Sequence, residues 1–181
     1  MKNTLLLIYC FLFIFSCKKA TNEERYQEWY EQAKEKIIEE SSLIADSTFK
    51  EVNHSDSSRF ALHSFIGDQK LSLMYYQKDT IKASYHFSKN GRLKLVREYY
   101  NNHFWAFEGI RYDDKFYGPW TVRHAPEDKM NAKLPYKRRE YRFAGKTVGK
   151  KIELPAIGQQ KETFFHNWVD ADSLPKIDNN E

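Results

Sequence analysis

The chain has little cysteine, glycine or proline and, past its first residues, no long apolar run. Its 181 residues include 2 Cys, 7 Gly and 5 Pro. So little Gly and Pro excludes a collagen-like or low-complexity chain, and 41% hydrophobic with 16% aromatic residues argues against wholesale disorder. Both cysteines, Cys10 and Cys17, lie near the N-terminus. A domain that begins after them has no disulfide, no Cys-based metal site and no nucleophilic thiol. The Gly-x-Ser-x-Gly elbow, the Walker loop, the dinucleotide fingerprint and His-Glu-x-x-His are all missing. The six His, at 54, 63, 86, 103, 124 and 166, share no ligand spacing, so no metal and no cofactor is expected. Asp170-Ala171-Asp172 opens like a calcium loop but lacks the later Gly and bidentate Glu. No catalytic residue stands out. Paired carboxylates such as Glu98 and Glu108 are close enough in sequence to meet across neighbouring strands, where they would suit acid/base chemistry.

Charge is nearly balanced. The formal value is +4, and +3 once the first 16 residues, with Lys2, are removed. That is too weak to point to nucleic acid. The length suits one domain.

Thr4 to Phe15 is the one apolar run, preceded by Lys2 and followed by Ser16-Cys17. Twelve residues are too few to span a bilayer, which takes about 20. They suit the apolar core of a secretory signal. Ile14-Phe15-Ser16-Cys17 resembles the lipobox of a bacterial lipoprotein signal, of the looser kind found in Bacteroidetes-type bacteria. Ser16 and Cys17 fit the pattern, Ile14 stands for Leu, and Phe15 departs from it. The resemblance implies cleavage after residue 16 and lipidation, including palmitate, at Cys17. The membrane would then be a partner through that residue, in the cell envelope and most simply at the outer membrane.

The expected organisation is a signal over 1–16, a tether over 17–22, one α+β domain over 23–169 and a loose tail over 170–181. Thr21-Asn22-Glu23-Glu24 has the form of a capping box. Tyr26, Trp29, Tyr30, Ala33, Ile37 and Ile38 then recur at steps of three and four, predicting an amphipathic helix over about 22–42 that packs on a sheet or meets a partner helix. Ser41 to Ser58 is rich in Ser, Asp and Asn and reads as loop.

After it the period becomes 2. Ile81, Ala83, Tyr85 and Phe87 alternate with Lys82, Ser84, His86 and Ser88, and the first set is expected to face the core. Asn90-Gly91 follows as a hairpin signal. Turn signals recur about every ten residues across strands at about 59–154. The fold class expected is α+β, mainly antiparallel β: the helix, then a six- to eight-stranded meander sheet or open barrel. The segment 161–169 reads as either a short helix or an edge strand.

Tyr112-Asp113-Asp114-Lys115-Phe116-Tyr117-Gly118 and Phe143-Ala144-Gly145-Lys146-Thr147-Val148-Gly149 share a spacing, an aromatic with Lys three on and Gly six on, 31 residues apart. With Glu108, Gly109 and Tyr112 before the first copy, residues 85–154 resemble MORN repeats, a family that includes MORN-like antitoxins. Gly109 and Gly118 keep that family's nine-residue step, the turn Gly is replaced near Asp114, and the second copy lacks the leading Glu-Gly. The resemblance implies stacked hairpins used for protein or lipid contact. Ordinary antiparallel hairpins account for the same residues through close strand approach and aromatic cover.

Lys133 to Lys151 is basic, with Tyr136, Tyr141 and Phe143 interleaved. In an exported, anchored protein such a stretch suits lipid headgroups or an acidic partner, or it is simply a solvated strand face. Trp105, Phe107 and Trp120, with Lys137, Arg139 and Lys146 as a charged rim, form the expected binding surface. The leading functional expectation is a non-catalytic, lipid-anchored envelope protein whose sheet binds another protein, a lipid headgroup or a glycan, and no nucleic acid. The alternative is an envelope hydrolase or glycan-processing enzyme whose carboxylates converge only in the fold.

Overall fold

The computed structural model describes residues 20–128, 134, 136–155, 160–165 and 167–177. Cys17 and the signal over 1–16 lie outside the described residues.

Helix α1, Asn22–Ser41, starts where its cap predicts. The Thr21 hydroxyl accepts from the Glu24 N–H at 3.2 Å, and the Glu24 carboxylate accepts from the Thr21 N–H at 2.7 Å. The helix buries Tyr26, Trp29, Tyr30, Ala33 and Ile37 against the sheet, while Ile38 stays 44% exposed. Each large ring or aliphatic side chain so buried contributes about 1.5–3 kcal/mol.

Ten strands follow: β1 Ser47–Val52, β2 Arg59–Ile66, β3 Gln69–Gln77, β4 Thr80–Phe87, β5 Leu93–Asn101, β6 Phe104–Tyr112, β7 Lys115–Val122, β8 Arg138–Phe143, β9 Lys146–Glu153 and β10 Lys161–Phe164. They form one antiparallel meander in which spatial order equals sequence order, and β1 does not pair with β10, so the sheet is not closed. The count exceeds the six to eight expected. The additions are the two edges: β1 arises in the segment read as loop, and 161–164 resolves as a strand. Both are short and mostly exposed, and neither carries the half-buried alternation that marks an inner strand.

The register assigns the two faces. Leu93, Leu95 and Ile110 pack with α1 in the core, and Leu95 pairs with Ile110. By alternation the opposite face of β4 and β5 carries Ala83, Tyr85 and Phe87 with Lys94, Val96 and Glu98. Of Ile81, Ala83, Tyr85 and Phe87, the set expected to face the core, the last three therefore point away from the helix, and a register shift separates Ile81 from them. Apolar residues on both faces of β4 and β5 make the sequence pattern ambiguous there.

The repeated spacing corresponds to repeated geometry. Asp113 and Asp114 in one turn, and Ala144 and Gly145 in the other, have positive φ. Gly118 and Gly149 both have positive φ beside a register shift. A Cβ on Gly118 would press on Trp29 and Tyr30, and one on Gly149 would overlap the Trp168 ring.

The segment from Asn167 to Ile177, expected to include the start of a loose tail, is packed instead. Trp168 meets Tyr26 and Tyr141 edge to face or tilted, each at 5.2 Å between centroids. Ala171, in the 3-10 turn Ala171–Ser173, and Leu174 join the core. The Tyr26 hydroxyl donates to the Val169 carbonyl at 3.1 Å and the Trp29 indole to the Pro175 carbonyl at 2.7 Å. Arg25 pairs with Asp170 and Asp172.

Candidate functional site

Helix α1 and the 167–177 segment both pack on one face of the sheet. No helix lies over the other face among the described residues. Its rings alternate with cations. Lys70 Nζ lies 6.0 Å from the Phe65 ring centroid and 5.4 Å from that of Phe87, and Lys94 Nζ lies 5.8 Å from Phe87. The Arg111 guanidinium stacks on Phe116 at 4.5 Å. Arg138 and Arg142 lie over Trp120 at 4.8 and 5.2 Å. A guanidinium stacked on a ring keeps its in-plane N–H edges for an anion.

Some of these cations are neutralised internally. Lys94 pairs with Asp114 at 2.7 Å, and Lys151 with Glu153 at 2.9 Å. Glu140, only 5% exposed, takes Arg138 at 3.3 Å, Arg142 at 2.5 Å and the Thr147 hydroxyl at 3.2 Å. Lys70, Arg111 and Lys161 are paired with no carboxylate among the described residues. Burial lowers the Lys70 ammonium; Glu51 opposes that shift and the like charge of Lys94 adds to it.

One row of directly paired residues crosses this face. It begins Glu51, Ala61, Tyr75, Ala83 and Glu98. It continues through Phe107, Val122, Arg138 and Glu153 to Lys161. Both ends of the row open into cavities. The first, about 820 Å³, is lined by Glu51, Ala61 and Tyr75 of the row together with Phe60, Tyr76 and Lys82. The second, about 480 Å³, is lined by Val122, Arg138, Glu153 and Lys161 of the row together with His124 and Lys137. Both volumes lie in the range of small-ligand sites.

The helix-side face holds a different cluster. Glu108, 4% exposed, accepts from Tyr30 Oη at 2.6 Å, Lys34 Nζ at 2.7 Å and Arg97 Nε at 2.7 Å. Burial pushes its carboxyl up. The hydrogen bonds from Lys34 and Tyr30, with the charges of Arg97 and Lys34, outweigh that and hold it below the usual carboxylate range. Tyr30 is correspondingly pushed far up, by burial first and then by Glu108. This carboxylate is a charged anchor between α1 and β5. Glu98 does not join it: Arg97 pairs with Glu108 and Glu98 with Phe107, so Glu98 and Glu108 lie on opposite faces. The pair named for acid/base chemistry is therefore not assembled.

The expected binding surface divides. Phe107 and Trp120 share the uncovered face, 4.9 Å apart, with Phe107 buried and Trp120 half-buried. Trp105 pairs with Tyr99 while Phe107 pairs with Glu98. The register shift thus sends the two rings to opposite faces, and Trp105 lies under Arg123 at 3.7 Å on the helix side. Arg139 pairs with Thr121, two residues before the core residue Tyr141, and stacks on Tyr136. Lys146 pairs with Phe143, which packs on the core. Both belong to the helix side. Lys137 stands at the rim of the second cavity. Sequence reasoning missed Tyr75, Lys70 and Arg111. Their signal is a cation set among alternating aromatics, which reads equally well as a solvated strand face.

No family model, no curated protein and no solved structure matches the chain.

Proposed function

We propose that this chain is a lipid-anchored, non-catalytic binding protein of the cell envelope, held at the outer membrane through Cys17, whose uncovered sheet face takes up an acidic glycan. The observation that carries the reading is the face itself: rings interleaved with cations, three of which, Lys70, Arg111 and Lys161, have no carboxylate partner among the described residues. Aromatic rings cover the apolar C–H faces of sugars, and ammonium and guanidinium groups pair with their carboxylates. The lipobox-like Ile14-Phe15-Ser16-Cys17 supplies the anchor in this reading. The MORN-like hairpins around Gly118 and Gly149 supply the half of the sheet that carries Trp120.

The test is binding of the full chain to polygalacturonate, a carboxylated glycan, against neutral dextran of similar length. Polygalacturonate is expected to bind and to weaken as salt rises, while dextran does not bind. Lys70→Gln with Arg111→Gln is expected to weaken polygalacturonate binding by about fivefold or more. Equal binding of both polymers, or an unchanged affinity in the double variant, overturns the reading.

A further inference from the structure

We infer that the ligand of this face is a linear chain that lies across the strands, its ends seated in the two cavities. The inference rests on the acidic-glycan reading and deepens it. Independent of charge, seven of the ten residues in the cross-sheet row line one cavity or the other: Glu51, Ala61 and Tyr75 at one end, Val122, Arg138, Glu153 and Lys161 at the other. The three between them are Ala83, Glu98 and Phe107. The two cavities are thus one track, interrupted in the middle, not unrelated hollows.

The track has a length. Nine strand spacings of about 4.8 Å put its ends about 43 Å apart measured along the sheet. A compact ligand cannot touch both ends, and an extended polymer can. The ends also differ in chemistry. The first offers the ring of Tyr75, 44% exposed. The second offers the ammonium groups of Lys137 and Lys161 beside Val122 and Leu154. The first end therefore holds a sugar ring by its apolar face, and the second holds acid groups. Of the three carboxylates in the row, Glu153 is paired with Lys151, while the exposed Glu51 at the first end and Glu98 at mid-track repel a polyanion.

A chain that engages both ends gains by effective concentration, so affinity depends on length in a way that single-site binding does not. The experiment is calorimetry of the full chain with oligogalacturonates of increasing length and with polygalacturonate, repeated for Tyr75→Ala and Lys161→Gln, which alter exposed or half-exposed side chains. Affinity is expected to climb by tenfold or more until the oligomer spans the track, then level off. For spanning chains each variant is expected to cost about fivefold, and Glu98→Gln to strengthen binding. A short oligomer is expected to lose affinity to each variant only at that variant's own end, and to bind with more than one molecule per protein. Affinity independent of length, with polygalacturonate still bound, overturns the track and leaves the acidic-glycan reading standing. Absence of binding at every length overturns that reading itself.

Discussion

Glu108→Gln is the substitution that tests how the helix is held. The wild-type carboxylate, almost fully buried, receives bonds from Tyr30 and Lys34 of α1 and from Arg97 of β5. Breaking a buried ion pair by removing one partner costs about 3–5 kcal/mol. Two features reduce that figure here. Lys34 and Arg97 keep 25% and 24% of their side-chain surface, so water takes over part of their solvation. The Tyr30 hydroxyl can still donate to the amide oxygen of the new side chain. The expected loss is about 2–3 kcal/mol, read as a lower urea midpoint at unchanged slope. The pH dependence follows from the direction of the shift. A carboxyl held below its unfolded value stabilises fully above the ordinary carboxylate range, and that stability is lost as pH falls through the lowered value. Acid should therefore narrow the gap between wild type and Glu108→Gln. Glu98→Gln, on the other face and exposed, should lie within about 0.5 kcal/mol of wild type. If Glu108→Gln also lies within that margin, or if the gap is the same at neutral and acid pH, the carboxylate does not anchor the helix.

Gly149→Ala should destabilise by about 2 kcal/mol or more, because the position has positive φ and the Trp168 ring fills the space of a Cβ; loss of near-ultraviolet circular dichroism from the displaced Trp168 reads it. Cys17→Ser should release the protein from membranes and abolish fatty-acid labelling, and persistent labelling would remove Cys17 as the anchor.

The helix and the meander were legible because their signals are local. The capping box at Thr21 and the Tyr26-to-Ile37 stripe need only one turn of chain after another, and the β4–β5 and β8–β9 hairpins announce themselves by Asn90-Gly91 and Ala144-Gly145. The edges were not legible. Ser47–Val52 is exposed at every position, so nothing in its composition separates it from loop. Nor could alternation place side chains beyond an irregularity: the shift at Glu98/Tyr99 sends Trp105 and Phe107 to opposite faces, and Arg139 and Lys146 fall with the helix. Phe107 and Trp120 were found because large rings on strands are conspicuous. Lys70 and Arg111 acquire meaning only from the rings that the register sets beside them. The packing of Leu174 depends on residues of α1 far away in sequence, which no local pattern encodes.

A meander whose spatial order equals its chain order also dictates an order of assembly. Each hairpin closes on a neighbour made moments before, so most of the sheet forms through short loops, which are the fast ones to close. Helix α1 is the exception. It is synthesised before every strand, yet its seat includes Gly118 of β7 and the 167–177 segment. Until those exist, β5 and β6 supply only part of the cover for Tyr26, Trp29 and Tyr30. Among the described elements the first made is thus fully seated only at the end, and until then part of its aromatic stripe stays open for a chaperone to recognise.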